Sequence, residues 1–287
     1  MTVSLCPIPL KLILCQCRLA ILCKYLLATQ GLFNVENLLQ TVGKQHPDYQ
    51  KLGMNVCCVF SGKRIVTACG DNTLIYWDPR SPAPLFKLTG QDARFDLGGI
   101  TSLAVNPAST VAVVGGANGG VRVVNLSKGE VISALGGHTE EQSVEAIVFV
   151  NIVGAADGSS APVGSAGAGT VVTGATDGKV CIWDLNTNRL RTTLEHKVGW
   201  LFLVLGLVGD LGPQDAVTSL LVHPTKPHLV ISASVDHTLR TWDARAGTLI
   251  RGHKGHQELV NGAALGRSGE IVVSAGDDGA CLVFGTE

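Results

Sequence analysis

The sequence predicts an all-β chain made of a repeated unit of short antiparallel strands, and three observations predict it. Gly is abundant, at 35 of 287 residues, well above the ~7% usual in soluble domains. Charged residues make up only 16% and mean hydropathy is +0.30, so a disordered chain is excluded. Short β-branched runs recur behind turns rich in Gly, Asp and Asn along most of the length, as many brief strands require. Lys+Arg 22 against Asp+Glu 23 leaves a net charge of −1, without the basic excess of a general nucleic-acid binder.

Residues 1–50 stand apart as a non-repeat N-terminal segment. Leu10 to Leu27 is rich in Leu, Ile and Cys, but Lys11, Arg18 and Lys24 interrupt it. It therefore lacks the ~18 consecutive apolar residues of a membrane span and the unbroken 7–15 of a signal peptide. No acid precedes Glu36, as in a transit peptide, yet Arg and Ser are too sparse for one. Residues 1–30 read as a helix-prone appendage, or as sequence foreign to the natural product. Four of the nine cysteines lie here (Cys6, Cys15, Cys17, Cys23); the rest are Cys57, Cys58, Cys69, Cys181 and Cys281. An odd count without paired CxxC spacing fits neither a disulfide framework nor a zinc site, and points to buried thiols in a reducing compartment. A cytoplasmic location is expected, with the nucleus as a second compartment.

Residues 51–287 form the repeat. Five segments end alike: GDNTLIYWDPR (70–80), NGGVRVVNLSK (118–128), TDGKVCIWDLN (176–186), VDHTLRTWDAR (235–245) and DDGACLVFGTE (277–287). Before each lies a β-branched run (RIVTA, TVAVVG, TVVTG, LVISA, IVVSA), and before that another (NVCCVF, ITSLAV, VEAIVF, VTSLLV, VNGAAL). A last short strand follows the first four units: PLFKL, EVISAL, RLRTTL and TLIR. Three or four short antiparallel strands per unit, joined by turn residues, is the pattern of a propeller blade.

On these residues the chain resembles the WD-repeat family. Trp77-Asp78, Trp183-Asp184 and Trp242-Asp243 match its name-giving dipeptide, and Gly137-His138 and Gly255-His256 its other hallmark. The resemblance covers most of the chain and implies a WD40-type β-propeller, here a partial set of about five blades. In such blades a Trp, a Ser/Thr, a turn Asp and a His form one hydrogen-bonded set. The Ser/Thr falls ten residues before the aromatic position, at Thr67, Thr173, Ser232 and Ser274, and the Asp six before it, at Asp71, Asp177, Asp236 and Asp278. The His candidates are His138, His196 and His256. The second unit has lost the set together, with Gln91, Val114, Asn118 and Val124 in its places. Joint loss fits a network in which a half-satisfied polar group costs more than none. Ser232, Asp236 and His196 are residue types of a nucleophilic triad, but their recurrence in other units assigns them to the framework.

The aromatic positions are 47, 59, 59 and 42 residues apart, against ~40–45 for a blade. In the third unit the Gly/Ala/Ser-rich stretch 151–169 accounts for the excess as a flexible surface loop. In the fourth, KVGWLFLVLGLVGDLGPQ (197–214) places an apolar run where an exposed loop belongs. Removing the 17 residues Val198–Gln214 restores a spacing of 42. Because Lys-Val and Gln codons can match splice-site ends, this stretch reads as a retained short intron, the alternative being a genuine insertion. The fifth unit has no fourth strand of its own, and the count of five suggests that upstream blades are missing. A complete propeller of this kind is expected to be a monomer.

A propeller does not specify a function. GGANGG (115–120) lacks the Lys and helix of a phosphate loop, no metal spacing appears, and an enzyme or a cofactor is not expected. KRIVTACGDNTLIYWDPRSPAPLFKLTG (63–90), SVEAIVF (143–149) and the ending 255–284 resemble more closely the ribosome-assembly WD-repeat chaperones of fungi and their animal relatives, the angio-associated migratory cell proteins. That resemblance implies a dedicated chaperone in large (60S) subunit assembly, whose acidic face captures the basic N-terminal segment of a large-subunit ribosomal protein. Loop residues Asp92, Asp96, Glu140, Glu141, Asp215, Glu258 and Asp277 would form such a face, offset nearby by Arg94 and Lys179, with Asp277 free to point outward. The alternatives are a generic WD-repeat adaptor scaffold with a mixed face, or a defective product of an incomplete gene model.

Overall fold

The computed structural model describes residues 56–61, 64–78, 81, 83–150, 169–196 and 215–286. The expectations for residues 1–50, for the loop 151–168 and for the insertion 197–214 lie outside them.

Among the described residues, nineteen strands form five antiparallel sheets in chain order. Sheet 1 holds β1 (Val56–Ser61), β2 (Arg64–Cys69), β3 (Thr73–Trp77) and β4 (Pro84–Thr89). Sheet 2 holds β5 (Ile100–Val105), β6 (Val111–Gly116), β7 (Val121–Asn125) and β8 (Glu130–Leu135). Sheet 3 follows with β9 (Val144–Val150), β10 (Thr170–Ala175), β11 (Lys179–Asp184) and β12 (Arg189–Glu195). Sheet 4 contains β13 (Val217–Val222), β14 (Leu229–Ser234), β15 (Leu239–Asp243) and β16 (Thr248–His253), and sheet 5 has three strands, β17 (Val260–Leu265), β18 (Ile271–Gly276) and β19 (Cys281–Gly285). Each sheet is a meander, with every strand paired to the next in sequence. This is the all-β, five-blade arrangement read from the repeat.

The first strands of successive sheets pack side by side, β1 on β5, β5 on β9, β9 on β13 and β13 on β17. They line the inner edge of the arc, and β4, β8, β12 and β16 form its outer rim. Side-chain direction follows: β6 and β10 are buried along their whole length, because a second strand is covered on both faces by neighbouring sheets. Their sequences, VAVVGG and TVVTGA, are accordingly continuous small and β-branched runs rather than apolar–polar alternations. Outer strands are more exposed, alternating in the PLFKLT of β4 and the EVISAL of β8 and exposed almost throughout in β16.

The core lies between sheets, in the clefts where one sheet faces the next. Trp183 packs on Val111, Val113, Val121 and Val123 of sheet 2, and Trp242 on Val172, Val180 and Ile182 of sheet 3. Each Trp thus faces the preceding sheet. Burying one such side chain stabilises by roughly 2–3 kcal/mol, which makes the aromatic position the main anchor of each cleft.

Candidate functional site

The polar sets form in sheets 3 and 4 with the same geometry. Trp183 Nε1 donates to Thr173 Oγ1 at 2.9 Å, and Trp242 Nε1 donates to Ser232 Oγ at 2.7 Å. The hydroxyls in turn lie 2.7 Å from His138 Nε2 and 2.6 Å from His196 Nε2. The other ring nitrogens face Asp177 at 3.2 Å and Asp236 at 2.9 Å. A carboxylate accepts only, so Nδ1 carries the proton and Nε2 accepts from the hydroxyl. In sheet 5 Phe284 replaces the Trp, yet His256 still bridges Ser274 at 2.7 Å and Asp278 at 2.9 Å. Sheet 1 keeps the Trp77–Thr67 bond at 2.8 Å, with Asp71 in the following turn.

These networks join sheets as well as strands. His138 sits on the loop leaving β8 of sheet 2 but bonds Thr173 and Asp177 of sheet 3. His196 links sheet 3 to sheet 4, and His256 links sheet 4 to sheet 5, in the same way. Backbone amides add to the ties: Thr139 N donates to Asp177 at 2.9 Å and Gln257 N to Asp278 at 3.0 Å. Burial alone would raise Asp177, but the His138 ring and the Thr139 and Lys179 amides outweigh it and bring it down to about 2. For Asp278 the Ala280 and Gln257 amides lead, with His256, and bring it down to about 2 as well.

Sheet 2 is built differently. Val114 and Val124 fill the hydroxyl and Trp positions, both fully buried. The entering loop that elsewhere carries His instead buries Phe95 and Leu97 among Val66, Leu74, Tyr76 and Val114. Arg122 then fastens the loop, its guanidinium donating to the carbonyls of Arg94 at 2.7 Å and Asp96 at 3.3 Å. Arg240 plays the same part in sheet 4, reaching Glu195 O at 3.0 Å and Asp236 at 2.9 Å. The two arginines occupy corresponding places on their third strands, opposite Val114 and Ser232. That shared position was the signal by which the sequence could have revealed them.

The loops entering each sheet and the turns between second and third strands meet at one end of the arc. Glu141 N donates to Asn118 O, and Asn72 Nδ2 donates to Asp96 at 2.9 Å. A Cβ on Gly178, in the turn before β11, would lie 3.2 Å from Asp215 O and 3.3 Å from His196 O. The acidic candidates Asp92, Asp96, Glu140, Glu141, Glu258 and Asp277 are all exposed at this end. Glu140, Glu141 and Glu258 make no side-chain hydrogen bond or ion pair among the described residues. Asp92 accepts from Arg94 N and Asp96 from Gly98 N, so both also shape their loop.

Two expectations need correction. Asp277 is not free: its carboxylate accepts from the Asn261 side-chain amide, because Asn261 stands beside it at the start of β17. Nor are Arg94 and Lys179 the only nearby cations. Lys254 lies on the loop carrying Glu258, and Arg122 shares with Glu140 and Glu141 an open groove of about 760 Å³ lined by the end of sheet 2 and the loop leaving β8. Arg122 is spent on loop carbonyls, as above, and Lys179 sits 3.7 Å from Asp177 and donates to Thr139. The end stays acidic in balance, whereas the opposite end is close to neutral, with Arg64, Lys128, Arg189, Lys226, Arg245 and Arg267 against Asp78, Glu130, Asp184, Asp243 and Glu270 among the described residues.

Among the described residues no helix is long and apolar enough to cross a membrane, and no group of three or more His, Cys, Asp or Glu is placed to hold a metal.

Comparison with known proteins agrees with this architecture. The family model "WD domain, G-beta repeat" matches residues 206–243 and 247–284. An uncharacterized WD repeat-containing protein of Schizosaccharomyces pombe is 31% identical over 232 residues, covering 79% of this chain and 49% of that protein. The human angio-associated migratory cell protein is 25% identical over 236 residues, covering 78% and 46%. The chain therefore spans about half the length of these curated relatives. Among solved structures, Chaetomium thermophilum Sqt1 bound to the N-terminus of the ribosomal protein L10 superposes with a TM-score of 0.64 at 26% identity, over 80% of this chain and 58% of that one.

Proposed function

The chain is a WD-repeat protein related to the angio-associated migratory cell protein and similar to Sqt1, and from that premise we propose that it is a non-enzymatic platform whose acidic end takes a basic peptide. The specific client is the basic N-terminal segment of a large-subunit ribosomal protein, and the role is that of a chaperone in 60S assembly, in the cytoplasm with access to the nucleus. The observation that carries this reading is the set Glu140, Glu141 and Glu258, exposed at one end and unengaged among the described residues. A protein of net charge −1 that gathers exposed carboxylates at one end has a local field there, which steers a cationic segment to that end. The Sqt1 structure, solved with the N-terminus of L10, supports the same ligand class. The Ser–His–Asp sets of sheets 4 and 5 and the Thr–His–Asp set of sheet 3 are consumed in joining sheets.

The test is fluorescence anisotropy of a labelled L10 N-terminal peptide with the purified chain at 50 and 300 mM salt. Binding that weakens with salt, and drops about tenfold or more in Glu140→Lys/Glu258→Lys, is the expected result. Binding that ignores both salt and charge reversal overturns the reading.

A further inference from the structure

The first strands of sheets 2, 3, 4 and 5 carry the same β-bulge at the same place. Between Ile100 and Ser102, Val144 and Ala146, Val217 and Ser219, and Val260 and Gly262 the register skips one residue. The skipped residues are Thr101, Glu145, Thr218 and Asn261, each the second of its strand. A bulge re-aims the side chain of its extra residue. Here it does so on the inner edge of the arc, at the acidic end.

The two threonines use this placement to tie their sheet to the next. Thr101 Oγ1 donates to Val144 O at 2.6 Å, and Thr218 Oγ1 donates to Val260 O at 2.7 Å. Each hydroxyl reaches the carbonyl just before the following bulge. Repetition would have residue 145 reach Val217 O, and the sheets stand close enough for it. A Cβ on Gly115 would lie 2.7 Å from Val144, and one on Gly174 would lie 2.5 Å from Val217. A carboxylate accepts only, so Glu145 makes no such tie. Among the described residues no side chain donates to Val217 O. Glu145 is exposed instead, and accepts only from Ser143 Oγ among the described residues. In the fourth bulge Asn261 holds the Asp277 carboxylate. Two carboxylates thus stand on the inner edge, one on each side of sheet 4. A position that forgoes an internal bond for an exposed charge is one where function outranks stability.

We propose that Glu145 is a specificity-determining contact for the basic peptide. It takes a cationic side chain and draws the peptide from the outer loops across the inner edge, toward Asp277. This role rests on the peptide reading of the acidic end given above.

The same anisotropy titration, at the lower salt, tests it on the full chain. Glu145→Gln is expected to weaken peptide binding about threefold or more, with an unchanged unfolding midpoint. Glu145→Thr binds as weakly, yet its midpoint rises by about 2 °C or more, because the hydroxyl gives Val217 O its donor. Glu130→Gln, an exposed change at the opposite end, leaves binding as it was. Wild-type affinity in Glu145→Gln, where Glu140→Lys/Glu258→Lys has lost it, overturns this role and leaves the acidic-end reading standing. An equal loss in Glu130→Gln overturns it too, since net charge alone then acts. A Glu145→Thr midpoint below that of the wild type overturns the exchange of a tie for a contact. If the wild-type chain binds no peptide, this role and the acidic-end reading fall together.

Discussion

His196 Nε2 and Ser232 Oγ lie 2.6 Å apart, although the histidine sits on the loop leaving sheet 3 and the serine on the second strand of sheet 4. The hydroxyl also accepts the Trp242 indole N–H at 2.7 Å. Ser232→Ala leaves a buried indole donor and an imidazole acceptor unpaired, at a cost of about 2–3 kcal/mol. Replacing the Trp, Ser and His of the set by apolar groups, in His196→Leu/Ser232→Val/Trp242→Phe, with Asp236 keeping Arg240 and the Thr238 amide, costs less than the three single changes added together. Sheet 2 already folds with Val114 and Val124 at the matching positions. Urea unfolding of the four variants checks the non-additivity.

His253 gives the cleft between sheets 4 and 5 a pH dependence. It is buried at the place where Leu135 and Leu194 end the outer strands of sheets 2 and 3, and its Nε2 lies 3.2 Å from Thr241 Oγ1. Burial, reinforced by the Arg251 charge, holds its pKa below the ordinary 6.5. Burial does the same to His223, with Lys226 and His228 adding to it. A histidine depressed in this way binds its proton more readily when unfolded. Stability is complete above 6.5 and falls as pH drops through that value. Thr241→Val/His253→Leu should remove part of the loss between pH 6.5 and 5, leaving the share of His223. Thermal midpoints at half-unit pH steps read it directly.

Asp177 and Asp278 act in a lower window. Both are held near 2 against an ordinary 3.8, so their contribution is full above 3.8 and disappears as pH falls toward 2. Asp177→Asn flattens the stability profile there and leaves it unchanged in shape between 5 and 7.

The deletion Val198–Gln214 should be tolerated. His196 O and Asp215 O both stand within 3.3 Å of the point where a Gly178 Cβ would lie, so the two ends already meet. Joining Lys197 to Asp215 also reproduces the three-residue passage from His256 to Val260 in the next sheet. The shortened chain keeps its unfolding midpoint within a few degrees. Gly178→Ala, by contrast, places a Cβ 2.7 Å from that of Asp215 at a φ of +73°, and should cost on the order of 1–3 kcal/mol.

Phe95 anchors the loop into sheet 2, which has, among the described residues, no counterpart of the His–Asp pair that ties the loops into sheets 3, 4 and 5. It is fully buried, and Phe95→Ala should cost about 3–5 kcal/mol, measured in the same urea titrations.

The repeat made most of this legible. Trp183, Thr173, Asp177 and their counterparts recur at fixed offsets because one hydrogen-bond geometry demands them, and the turn Asp at minus six caps its own turn through the amide two residues on. Even Asn118, where the ionic role is gone, keeps that bond to Gly120 N. What occurs once left no pattern. Phe95 and Leu97 look like ordinary loop residues until the sheet 1 face is in place, and the Asn261–Asp277 bond joins residues 16 apart that only the β17–β18 pairing brings together. Lys254 was readable from its loop and reduces the acidic balance there.

The join between sheets 1 and 2 has a further consequence. It rests on Phe95, Leu97 and their aliphatic neighbours, where every later join adds a histidine and a carboxylate. Apolar association weakens on cooling, whereas charge-assisted hydrogen bonds do not share that dependence. The protein is therefore jointed with two materials of opposite temperament: chilled, it loosens first behind sheet 1, and acidified, it loosens everywhere else.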